Sequence, residues 1–244
     1  MHAIEVLNLY KSYGDVKALS GLSLNVRLGE IYGLIGPNGA GKTTTLKILA
    51  GLLRPDKGFA RIYGYDVVRQ RVKALSMIGY VPENPVVFQN LSVEEFLYFI
   101  AALRGLSKGY INDRLDYYLE VFGLASKRDK LMSELSRGMV QKVLVTAALI
   151  VDPKVLLMDE PMAGMDPESQ HVFKEEVRKL AARGVTVLIS SHLLDMVEKL
   201  CTRVGIIHQG RLVVEGTITE IKRMAAEGPG STLEEVFLKI IKSR

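Results

Sequence analysis

Ile31-Tyr32-Gly33-Leu34-Ile35, followed by Gly36-Pro37-Asn38-Gly39-Ala40-Gly41-Lys42-Thr43, is the stretch that decides the fold. A short apolar run reads as a buried strand, the glycine-rich segment as a turn, and Gly41 to Ala50 as a helix that Gly51 stops. Strand, glycine-rich loop and helix in this order form the phosphate-binding loop pattern. Its glycines let backbone N–H groups curl round phosphate oxygens, where side chains would obstruct them. The helix that follows points its positive end at the same anion. Lys42 adds a point charge for the β- and γ-phosphates, and Thr43 offers a hydroxyl to Mg2+. Gly36, Pro37, Asn38, Gly39, Ala40, Gly41, Lys42, Thr43 and the neighbouring Thr44 are therefore candidate nucleotide-binding residues.

A second element lies downstream in Val155-Leu156-Leu157-Met158-Asp159-Glu160. An apolar strand that ends in two carboxylates places them at the carboxyl edge, where ligands bind in such sheets. Asp159 can hold Mg2+ through water, and Glu160 is placed to polarise an attacking water.

Working outward, the first thirty residues alternate apolar and polar, as strands do, and 59–63 adds another strand. From Ser92 to about residue 150 the pattern is helical. It opens on the capping box Ser92-Val93-Glu94-Glu95, continues in a helix from Ile111 to Phe122, and adds a third helix after Ser136. Strands at 154–158, 185–190 and 203–208 then alternate with helices at about 167–182 and 192–200, which implies a parallel sheet covered on both faces. Gln209-Gly210 reads as a hairpin turn, and Thr232-Leu233-Glu234-Glu235 caps a last amphipathic helix.

Composition excludes several classes. The 244 residues are 48% hydrophobic with a net charge of +5, so disorder is not the main state. A single cysteine, Cys201, forbids a disulfide framework and suggests a reducing compartment. The N-terminal stretch does not read as a secretory signal. No apolar run approaches the roughly 20 residues that a spanning helix needs. Basic residues are scattered rather than blocked, which reads as a solvated surface, and no nucleic acid is expected as a partner.

Leu135-Ser136-Arg137-Gly138-Met139-Val140-Gln141-Lys142, shortly before the Asp159-Glu160 strand, resembles the signature of the ATP-binding cassette (ABC) family, and the resemblance extends over nearly the whole chain. It implies ATP and Mg2+ as cofactors, with Ser136 and Gly138 contacting the γ-phosphate of ATP held by another subunit. Tyr13 resembles the aromatic that stacks on adenine. Met165-Asp166 resembles the dimer-contacting loop. His192 resembles the switch histidine near the γ-phosphate, which makes it a catalytic candidate beside Glu160. Glu83, after Gly79-Tyr80-Val81-Pro82, stands where the family usually has Gln, and its carboxylate is a candidate Mg2+ contact. Arg137 and Met139 also depart from the usual signature.

The fold implied is α/β: a RecA-like P-loop NTPase core with an antiparallel β subdomain and a helical insertion, as one domain over 1–244. Core and β subdomain would occupy about 1–84 and 151–215, the helical subdomain about 85–150, and a helical tail about 216–244. The function implied is the ATPase subunit of a transporter, a homodimer or heterodimer around two ATP, working through integral-membrane permease subunits at the cytoplasmic face of the membrane. Leu233-Glu234-Glu235-Val236-Phe237-Leu238 and the Glu83 variant resemble drug- and multidrug-type exporters. The rivals are a soluble ABC ATPase acting on DNA or ribosomes, and a GTPase. The GTPase lacks its guanine motif, because Ser126-Lys127-Arg128-Asp129 has the wrong first residue.

Overall fold

The computed structural model describes residues 2–84, 86–224 and 232–242. Two sheets organise it. Strands β1 (His2–Tyr13), β2 (Val16–Arg27), β4 (Lys57–Ile62) and β5 (Tyr65–Asp66) form an antiparallel sheet in the order β2-β1-β4-β5. The second sheet has the order β10-β9-β3-β8-β7-β6. It comprises β3 (Ile31–Ile35), β6 (Ile78–Val81), β7 (Val155–Asp159), β8 (Thr186–Ser190), β9 (Arg203–His208) and β10 (Arg211–Thr217). Five of its strands run parallel, and β10 closes one edge antiparallel to β9.

Every residue of β3, β7 and β8 is buried, as expected for strands covered on both faces. The cover on one face is α1 (Lys42–Leu49) together with the antiparallel sheet, whose inward residues Ile4, Val6, Leu22 and Leu24 share a core with Leu46, Leu49, Leu157 and Leu188. The other face packs α6 (Pro167–Ala182), α7 (Leu194–Leu200) and the helical block α3 (Val93–Leu103), α4 (Lys108–Val121) and α5 (Arg137–Ile150) into a second core. The short α2 (Arg71–Leu75) precedes β6, and α8 (Ile218–Met224) and α9 (Leu233–Lys242) follow β10. Among the described residues no helix is long and apolar enough to cross a membrane.

Local signals explain most boundaries. At α3 the Ser92 hydroxyl accepts the Glu95 N–H and the Glu95 carboxylate accepts the Ser92 N–H, the reciprocal cap expected there. Thr232 and Glu235 do the same for α9 at 3.3 and 3.0 Å. Gln209 and Gly210 both take positive φ, which suits the tight turn between β9 and β10. Two helix starts differ from expectation by more than one residue. Helix α4 starts at Lys108 rather than Ile111, because the Ser107 hydroxyl caps it by accepting the Tyr110 N–H. Helix α7 starts at Leu194 rather than residue 192, because the Ser191 hydroxyl accepts the Leu193 N–H and holds the preceding residues in a turn. Strand β10 runs to Thr217, which pairs with Arg203.

Register sets the site. Asp159, the last residue of β7, lies opposite Ser190, the last of β8, and Ser190 lies opposite Leu34 near the end of β3. Three strand ends therefore meet where the glycine-rich loop leaves the sheet.

Candidate functional site

A cleft of about 680 Å³ opens at those strand ends. All nine residues from Gly36 to Thr44 line it, joined by Glu83, Asp159, Glu160 and His192. The loop can approach an anion closely because α1 begins without a side-chain cap. Gly41 takes φ 110°, a backbone state that suits glycine, so the first N–H groups of the helix face the cleft uncovered. Lys42 is buried, and its ammonium donates to the Gly36 and Pro37 carbonyls at 2.7 and 3.1 Å. Burial lowers its pKa, while Glu160, Asp159 and Glu83 act in the opposite sense and favour the charged form.

Asp159 is 1% exposed. Its Oδ1 accepts from the Ser190 hydroxyl, whereas its Oδ2 is buried without a hydrogen-bond partner among the described residues. An orphaned carboxylate oxygen beside the cleft is what a cation would satisfy. Thr43 and Asp159 thus fit Mg2+, with the Glu83 carboxylate lining the same cleft.

Glu160 is built into a strained position. Its φ of 49° is unusual for a non-glycine residue and costs on the order of 1–3 kcal/mol. The Glu160 N–H donates to the Ser190 carbonyl at 3.0 Å, which holds the backbone there. Its Oε2 accepts from the Ser191 hydroxyl at 3.0 Å, and its Oε1 accepts the His192 N–H at 2.8 Å. The His192 ring Nδ1 lies 2.7 Å from the same Oε1. An ionised Glu160 can only accept, so Nδ1 carries the hydrogen and Nε2 is the free ring nitrogen. The carboxylate is fixed from three sides, an arrangement able to orient a water and take its proton.

The remaining sequence candidates lie elsewhere. Ser136 is exposed at the start of α5, where its hydroxyl accepts the Met139 N–H at 3.3 Å. Gly138 sits against the segment after β7: a Cβ there would lie 2.2 Å from the Gly164 carbonyl oxygen, so only glycine fits. Asp166 in that segment caps α6 by accepting the Ser169 N–H and hydroxyl at 2.8 and 2.7 Å. Those bonds push its carboxyl down to about 2. Lys142 of α5 reaches Asp166 at 3.6 Å, tying the two elements together. Tyr13 is 47% exposed at the end of β1, with the Lys11 ammonium 5.9 Å from its ring centre. None of Ser136, Gly138, Asp166 and Tyr13 lines the cleft.

Sequence reasoning missed several participants. Val16 and Ala18 of β2, Leu194 of α7 and Phe237 of α9 all line the cleft. Ser190 and Ser191 orient the two carboxylates. Two hydroxyls directly before His192 were the signal that could have revealed the serines; for Phe237 the sequence offered none.

Residues 19–163 match the family described as ABC transporter. A probable multidrug ABC transporter ATP-binding protein of Escherichia coli (strain K12) is 35% identical over 240 residues, 98% of this chain and 41% of the relative. The chain therefore spans less than half the length of that relative. A Nod factor export ATP-binding protein of Paraburkholderia xenovorans (strain LB400) is 41% identical over 214 residues, 88% of this chain and 70% of the relative. A solved ATP-binding subunit of an ABC transporter superposes with a TM-score of 0.92 at 33% identity, covering 98% of this chain and 99% of that one.

Proposed function

This chain belongs to the ABC transporter family, and from that membership we propose that it is the ATP-hydrolysing subunit of an exporter. Two copies would close over two ATP molecules and drive transport through separate membrane subunits, at whose cytoplasmic face the chain would sit. The observation that carries this reading is the division of the site. One copy brings Lys42, Asp159, Glu160 and His192 into a single cleft, while Ser136 and Gly138 stand outside it on α5. This supports a site in which a nucleotide in the cleft meets them when another copy supplies them.

Within one copy the geometry supports the following roles. Backbone N–H groups of the loop bind the phosphates, and the Lys42 ammonium exchanges the Gly36 and Pro37 carbonyls for β- and γ-phosphate oxygens. Thr43 and Asp159 would hold Mg2+, which when bound neutralises phosphate charge, and Glu83 lines the same wall. Glu160 Oε2 or Oε1 accepts the proton of the attacking water. Ser191 and His192 keep that carboxylate aimed. Ser136 and Gly138 of the second copy would complete the γ-phosphate contacts at a helix start.

The two relatives are named for multidrug transport and for Nod factor export, which supports export. Glu160→Gln tests the proposal. Removing the base should cut phosphate release by about 10²–10⁴-fold. Lys42, Thr43 and Asp159 remain, so ATP should still bind. Light scattering with ATP should then report a long-lived species of twice the mass. Turnover at the parent rate would show that Glu160 is not the base.

A further inference from the structure

Besides Glu160 and His192, the cleft lining includes the apolar side chains of Leu194 and Phe237. Leu194 opens α7 two residues after His192. Phe237 comes from α9, the last helix, far in sequence from every other lining residue.

Helix α9 is firmly seated. Leu233 and Val236 are fully buried, and the Leu233 N–H donates to Glu198 Oε2 of α7 at 2.9 Å. The other oxygen of Glu198 pairs with Lys222 of α8. The start of α9 is closed by the Thr232–Glu235 cap. Phe237 and Leu194 are both half-buried against the core that α7 and α9 share. The tail is thus fastened to the helix that directly follows the histidine, and Phe237 is its projection into the cleft.

We infer that Phe237 is a residue of the nucleotide site, a positioning residue that shares the lining of the cleft with Glu160 and His192. The His192 side chain is 63% exposed, so one flank of the Glu160–His192 pair is open to water. An aromatic ring in the lining of the same cleft limits bulk water inside it, which strengthens the polar contacts there and leaves room for an ordered attacking water. This inference rests on the ATPase reading above and adds that hydrolysis depends on the chain's own tail.

The chain contains no tryptophan, which gives a direct test. In Phe237→Trp the single indole should change its emission when a non-hydrolysable ATP analogue is titrated with Mg2+, at the concentrations where calorimetry records binding. A silent indole at saturation would overturn the inference. Turnover gives a second readout. Phe237→Ala should lower kcat about tenfold with KM within twofold, and Phe237→Leu should recover most of it. An alanine variant within twofold of the parent kcat would contradict the role. So would equal losses in both variants accompanied by lower melting temperatures, which would mark Phe237 as a fixture of the tail only. If the parent chain fails to hydrolyse ATP, the ATPase reading falls, whereas the indole response tests the site independently.

Discussion

The N-termini of α1 and α5 differ in what satisfies their first N–H groups. At α1, Gly41 has no side chain to offer, so those groups stay open towards a cleft that already holds a lysine and two buried carboxylates. At α5, the Ser136 hydroxyl takes up the Met139 N–H, and Ser136 is exposed and not among the residues that line the cleft. Both ends carry the positive pole of a helix. In the proposed reading the first is an anion site within one chain, and the second contacts a nucleotide held by another. On that reading a helix start left uncapped inside a cleft binds alone, while a capped, exposed one would gain its role by assembly.

The largest effect that would break this contrast concerns affinity. Lys42→Ala removes a charge-assisted contact of about 1.5–3 kcal/mol, at least roughly a tenfold loss in ATP binding. Ser136→Arg should leave the affinity of a single copy within about twofold. Titration with a fluorescent ATP analogue compares the two. Equal losses would erase the distinction between the helix ends.

A smaller effect is expected at Tyr13. Its ring is half exposed and absent from the cleft wall, so Tyr13→Ala should cost about 1 kcal/mol, the low end of base stacking, and similarly for ATP and GTP. Unchanged affinity would remove Tyr13 from the site and leave the base to Val16 and Ala18.

The smallest effect concerns acid stability near α5. The Asp166 carboxyl is held at about 2, below its ordinary value near 4, by the Ser169 N–H and hydroxyl. Its contribution to stability is therefore complete above about pH 4 and is lost as pH falls towards 2. Asp166→Asn keeps a good capping residue without the titration, so its melting temperature should fall less steeply than the parent's between pH 4 and 2. Parallel curves would show that this cap does not contribute to acid unfolding.

The phosphate loop, the two carboxylates and the alternation of strands and helices were legible because each is a local pattern: glycine spacing, an apolar run ending in charge, a period. The capping boxes at Ser92 and Thr232 were legible for the same reason. What escaped was set by register and packing across the chain. Ser190 meets Asp159 only because β7 and β8 align their last residues, and Glu160 takes its strained turn only because the Ser190 carbonyl holds it. Phe237 read as one more apolar position of an amphipathic helix, since nothing local states which neighbour a tail will find. The start of α4 was misplaced because Ser107 was not recognised as a cap, although its hydroxyl decides the boundary.

The central claim is that the cleft of one copy is completed by α5 of another, and mixing two defective chains tests it most directly. Lys42→Ala spoils the cleft and Ser136→Arg spoils the helix start, so neither chain alone should release phosphate appreciably. In a heterodimer of the two, one site combines both defects and the other combines an intact cleft with an intact helix start. The account predicts that the mixture recovers a clear fraction of parent turnover, rising with the share of heterodimer. A mixture as inactive as its components, or a Ser136→Arg chain that hydrolyses ATP at the parent rate by itself, would contradict it.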